Sequence, residues 1–223
     1  MNPRILKTSV VLASVLCATA TFAQSNTPPI SVAELETFYT STIEERTAGI
    51  VKDLNLTNDV TATVVHDLLI AQYRVMRARD ELIDAQLRAM DKDINYKNRE
   101  SQLLAESKPL HAYFFAKLGE KLTPEQVEKV KDKMTYNKVK VTYDAYVAIV
   151  PGLKDEEKAK ILEWLKAARE EAVDGGSAPE KSSIFQKYKD QINDYLNANG
   201  HDTVKAFKDW TDAHPSTNNP AAK

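Results

Sequence analysis

Residues 153–202, LKDEEKAKILEWLKAAREEAVDGGSAPEKSSIFQKYKDQINDYLNANGHD, read as two helices joined by a short turn. Asp155, Glu156 and Glu157 crowd the opening turn of the first, where free N–H groups and the positive dipole end favour carboxylates, so it is expected to start just after Leu153. At about 100° per residue, Ile161, Leu165, Ala168 and Ala172 share one face, with Trp164 at its edge, Arg169 on the opposite flank and Glu170 toward water. Asp174-Gly175-Gly176 ends that helix. Ser177 then caps a second, with Pro179 in its first turn and Glu180 three residues on.

The second helix conflicts with its own pattern. Phe185, Ile192 and Leu196 centre an apolar stripe, widened on one side by Ile184, Tyr188 and Tyr195, and Asn199-Gly200 stops it. Lys181 and Lys189 lie inside or beside that stripe, one on either side of its centre, with Asn193 one turn beyond Lys189. One reading is that the lysine stems cover apolar surface while the ammonium groups reach water. The other is a partly buried polar pocket for an anionic or polyhydroxyl ligand. The candidate ligand-binding set is Trp164, Arg169, Lys181, Tyr188, Lys189, Asn193 and Tyr195.

The blocks Ala168-Arg169-Glu170, Glu180-Lys181, Phe185, Lys187-Tyr188-Lys189, Ile192-Asn193, Tyr195-Leu196 and Gly200 with Asp202 resemble the C-terminal signature of a secreted bacterial family, domain of unknown function 3826. LTPEQVEKVKDKMTY (Leu122 to Tyr136) and the segment from Tyr143 to Pro151 are also similar to it, so the resemblance covers most of the chain. It implies a helical, non-cytoplasmic protein of polysaccharide-degrading bacteria, for which sugar binding has been proposed, and it brings no catalytic residues. Where the family pattern has an arginine and a tyrosine, this chain has Gln191 and His201.

Outward from this region, the pattern stays helical. Ser31-Val32-Ala33-Glu34 is a capping box opening a helix to about Asp53, and Thr57 is expected to cap a long second helix over about Asn58 to Asp91. In that helix Leu68/Leu69, Val75/Met76 and Leu82/Ile83 recur seven apart, with Gln72, Arg79 and Gln86 between them as polar layers that set register or line a groove. A segment over about Lys97 to Lys121 is kinked or restarted at Pro109, and Thr123-Pro124-Glu125-Gln126 caps the next helix, which runs to about Lys133. Val139 to Val150 alternates enough to suit a strand, but its context favours helix. Thr203 to His214 is a short amphipathic helix carrying Phe207 and Trp210, closed by Pro215. The expected fold is all-α, a single-domain bundle of about seven helices with a long second helix.

Arg4 and Lys7 followed by an uncharged apolar run to Phe22 and then Ala23 read as a cleavable signal peptide, 1–23, so secretion or a periplasmic address is expected. Residues 24–30 would be a linker, 31–214 the helical domain, and 215–223 a disordered tail. The one cysteine, Cys17, falls in the signal segment, which leaves no thiol for a nucleophile or a thiolate metal site after cleavage. Losing Arg4 and Lys7 leaves 28 basic against 32 acidic residues. That balance argues against nucleic acid as a partner, and no later apolar run is long enough for a membrane span.

His66, His111, His201 and His214 are far apart, so no metal site is expected, and there is no nucleophile elbow, phosphate loop or dinucleotide fingerprint. No cofactor and no catalytic residue is assigned, although a glycosidase-like pair among the many carboxylates stays open. Glu170, Glu171 and Asp174 read as a solvated helix end. Two functions remain. One is a carbohydrate-binding or polysaccharide-utilisation-associated domain with an oligosaccharide or polysaccharide as partner. The other is a periplasmic helical chaperone or adaptor, because Leu56-Thr57 and Leu122-Thr123 resemble helix starts of chaperones of the Spy type.

Overall fold

The computed structural model describes residues 30–89 and 96–215. The signal segment, most of the linker, the residues just past the long helix and all of the tail after Pro215 lie outside them. Among the described residues there are nine helices and no strand: α1 (Val32–Leu54), α2 (Asp59–Arg88), α3 (Tyr96–Glu106), α4 (Lys108–Gly119), α5 (Pro124–Met134), α6 (Lys138–Ile149), α7 (Asp155–Ala172), α8 (Ala178–Ala198) and α9 (Thr203–Ala213). The count exceeds the expected seven partly because Pro109 starts α4 as a separate helix. A proline costs little in a first turn and much in a helix interior.

Local chemistry sets most helix starts. Ser31 and Thr123 make full capping boxes with Glu34 and Gln126, and the Ser177 hydroxyl accepts from the Glu180 N–H. The cap of α2 is Asn58 and not Thr57, because the Asn58 side chain accepts from Thr61 N at 3.0 Å. Residues 138–149 are helical in spite of their β-branched content, with Val139 and Val150 buried in the second core.

Among the described residues two large apolar cores form, beside a small cluster of Ile83, Leu87 and Leu103 between α2 and α3. The first joins α1, α2, α4 and α5 around Val65, Leu69, Leu118 and Val130, all fully buried. The second joins α6, α7 and α8 around Ile161, Leu165, Ile192 and Leu196, also fully buried. Each such side chain contributes about 1.5–3 kcal/mol of hydrophobic stabilisation. The end of α7 belongs to both cores: Ala172 packs into the second and the next residue, Val173, into the first. That step ties the two helix groups together.

Polar bonds reinforce the same place. Arg169, 3% exposed, reaches Asp132 at 2.6 Å, Glu128, and Glu170 at 3.2 Å, while Lys131 reaches Glu170 at 2.8 Å. Glu170, whose side chain is still 41% exposed, is therefore a partner of α5 as well as a solvated residue. Asp174 is likewise tied, its carboxylate 2.8 Å from His111 Nδ1 and its carbonyl accepting from Arg79 at 2.6 Å. Arg79 and the buried Gln72 also line a small gap shared with Ser107, Leu110 and His111 of the α4 region and Asp174. A Cβ at Gly176, just before α8, would meet the Asp80 carboxylate, which would have to swing aside.

Glu157 fastens the far end of α7. Its carboxylate, 2% exposed, accepts from the Lys154 N–H at 2.8 Å and sits 3.0 Å from His201 Nε2, in the turn before α9. The Lys154 N–H, opposed by burial and aided by His201, holds this carboxyl below the usual range. A carboxyl with a lowered folded pKa stabilises above its unfolded pKa, and that contribution disappears as pH falls through the folded value. Thermal unfolding from pH 7 to pH 3 should show the wild type more stable than Glu157→Gln at neutral pH, with the gap closing in acid. A gap constant across that range would contradict the pairing.

Candidate functional site

A groove of about 580 Å³ opens between α6, α8 and α9. Ala145, Ile149 and Val150 of the α6 region form its apolar base, and Phe207 of α9, 58% exposed, stands in its wall. Asp202 caps α9, while Asn197 Oδ1 accepts from both the N–H and hydroxyl of Thr203 at 3.0 Å, which holds that helix against α8. Thr142, Gln186, Lys189 and Asn193 supply the polar groups.

Tyr146 organises this polar wall from α6. Its hydroxyl donates to Asn193 Oδ1 at 2.9 Å and lies 3.1 Å from the Lys189 carbonyl. Burial, with the Asp190 charge behind it, pushes the phenol well above its ordinary pKa, so it stays protonated. With Oδ1 engaged, the Asn193 amide keeps its two N–H donors for another group. Lys189 is half-buried and has no ion-pair partner among the described residues. A concave, mostly apolar site with a few convergent polar groups is the usual form of a small-ligand site.

The residues expected to share one pocket are divided among four places. On α8, Lys189 and Asn193 project to one flank of the buried stripe and Tyr188 and Tyr195 to the other, about 130° round the helix. Tyr195 packs edge-on against Trp164 with ring centroids 5.3 Å apart, Lys160 sits 5.0 Å over the indole, and the Tyr188 hydroxyl donates to Glu171 at 3.2 Å. These three aromatics therefore do not line the groove that holds Lys189.

Arg169 and Lys181 are in neither place. Arg169 is consumed by the carboxylates that join α5 to α7; burial opposes its charge, but Asp132 and Glu128 more than compensate and raise its pKa. Lys181 neither reaches water nor lines the groove. It is 3% exposed and donates to the carbonyls of Ala172 and Val173, both at 3.0 Å, closing the end of α7. The groove residues that the sequence reading missed are Thr142, Tyr146, Gln186 and Phe207. The signals for them were the amphipathic pattern around Phe207 and the family-like segment from Tyr143 to Pro151, which contains Tyr146.

Among the described residues, no group of three or more His, Cys, Asp or Glu side chains is placed to hold a metal ion, and no helix is long and apolar enough to cross a membrane. The sequence profile of the family described as Protein of unknown function (DUF3826) matches residues 40–214. The chain belongs to the DUF3826 family. The matched region spans both cores, the α7 junction and every wall of the groove, so this architecture is that of a DUF3826 domain. No curated protein matches the chain.

Proposed function

We propose that this DUF3826 protein is exported and binds a short oligosaccharide in the groove between α6, α8 and α9. The observation that carries this reading is one concavity that places the exposed ring of Phe207 near the unpaired ammonium of Lys189 and the free amide hydrogens of Asn193. An aromatic face suits the C–H surface of a sugar, and amide, hydroxyl and ammonium groups suit its oxygens. The volume accommodates two or three sugar rings on the scale of ordinary ligand sites. Intact mass from a bacterial envelope fraction tests export: the expected chain begins at Gln24, and an uncut cytoplasmic chain would overturn it.

A thermal-shift screen of plant cell-wall oligosaccharides tests the binding. A ligand at about 100 times its Kd adds about 2.7 kcal/mol, which raises Tm by roughly 5–10 °C in a chain of this size. Phe207→Ala and Lys189→Ala should each weaken binding about tenfold, close to 1.4 kcal/mol, and leave the ligand-free Tm nearly unchanged. No shift with any glycan, or normal binding by both variants, would sink the proposal.

The second reading, a chaperone or adaptor, draws on Val32, Leu35 and Phe38, apolar residues exposed on the first turns of α1. Suppression of aggregation of an unfolded substrate, lost in Leu35→Ser/Phe38→Ser and kept in Phe207→Ala, would favour it over sugar binding.

A further inference from the structure

A second cavity, of about 680 Å³, opens beside the α7–α8 turn. It is walled by α1, the end of α5, the α5–α6 turn, α2 and the α7–α8 turn with the start of α8. Its floor is apolar, from Ile50, Tyr73, Met76 and Met134, and four cations meet there: Arg46, Lys52, Lys133 and Lys181. Lys133 is paired with Asp53. Arg46 and Lys52 have no carboxylate within ion-pair distance among the described residues, and Glu45 is the one other acid in the lining. The positive charge is therefore in excess.

We propose that this cavity binds a small organic molecule through one oxyanion group, a carboxylate or a phosphate, held between Arg46 and Lys181. The backbone is built to keep both cations in place. Tyr136 and Asn137 occupy the left-handed region in succession, with φ of 59° and 55°, a conformation that side-chain-bearing residues seldom adopt. This turn sets the Tyr136 ring under the Arg46 guanidinium, 5.9 Å from ring centroid to guanidinium carbon. Gly175 leaves room on the opposite side, since a Cβ there would press on Lys181 Cγ at 3.0 Å. Lys181 spends two of its three N–H donors on α7 carbonyls, which leaves one for a ligand.

The charges facing Lys181 come from four elements. Burial pulls its pKa down to about 8; Asp174 of the α7–α8 turn and Glu180 of α8 raise it, and Arg46 of α1 and Arg79 of α2 lower it. An anion seated between Arg46 and Lys181 relieves that repulsion and favours the protonated ammonium. Binding should therefore weaken as pH rises past about 8 and should take up protons in that range.

Isothermal titration with inorganic phosphate, glucuronate and glucose 6-phosphate, with glucose as the neutral control, tests the site. The anions are expected to bind and glucose is not. Phosphate binding as well as glucose 6-phosphate assigns the site to a free ion. Stronger binding of either sugar anion assigns it to an organic ligand on the apolar floor. Arg46→Gln, at an exposed position with no ion pair to lose, should weaken anion binding at least tenfold, and Lys181→Met should do the same if it folds. Titration at pH 8.5 in two buffers of different ionisation enthalpy should reveal proton uptake that Lys189→Ala in the groove leaves unchanged. No binding of any anion at millimolar concentration, equal binding by Arg46→Gln, or binding without proton uptake would each overturn the proposal.

Discussion

Arg169→Ala is expected to lower the unfolding free energy by about 3 kcal/mol, the lower end of the range for breaking a buried ion pair. The lower end applies because the partners differ in exposure: the arginine side chain is 4% exposed, whereas Glu128 and Asp132 retain 48% and 37% and can be rehydrated. On burial alone the Glu128 carboxyl would rise, yet Arg169 holds it below the usual range, so the carboxylate is stabilised in the folded state. In a chain of this size the loss corresponds to roughly 6–12 °C in Tm. Arg169→Lys should recover only part of it, because an ammonium cannot span two carboxylates as the planar guanidinium does. Urea titration of the three proteins measures this, and a loss below about 1 kcal/mol would show that the cluster is incidental to the junction.

Val173→Asn should cost roughly 3–5 kcal/mol. Valine burial contributes about 1.5–3 kcal/mol, and a buried amide without partners adds about 1–3 kcal/mol of its own. Val173 is fully buried in the first core although it directly follows α7, a helix of the second. The substitution should therefore unfold α1, α2, α4 and α5 together with the rest, in one transition by both far-ultraviolet circular dichroism and tryptophan fluorescence from Trp164 and Trp210. Two separated transitions would mean that the helix groups fold independently.

What could be read from the sequence follows the range of the forces involved. Ser31, Thr123 and Ser177 announce helix starts because a cap needs only residues three apart, and Gly200, at φ 91°, marks a stop for the same local reason. The stripe of Phe185, Ile192 and Leu196 correctly gave the buried face of α8. Helical spacing could not say which flank of that stripe another helix would cover. Trp164 took the Tyr195 side, and α6 with α9 framed the Lys189 side, so aromatics and lysine that border the same stripe are separated in the fold. Arg169 and Lys181 were legible as anomalies but not in role. The Arg169 partners lie 37 and 41 residues away in sequence, and Lys181 turns inward to carbonyls, which carry no sequence signature. Phe207 went unassigned because its meaning depends on α9 folding back across α8 beside α6.

Mapping a bound oligosaccharide by amide chemical shifts tests the central claim most directly. The groove predicts that, at saturation, the perturbed amides cluster at Thr142 and Ala145 of α6, Gln186 to Asn193 of α8 and Val204 to Phe207 of α9, and that Phe207→Ala removes them. Shifts confined to the Trp164 and Tyr195 flank, or to the first turns of α1, would contradict it.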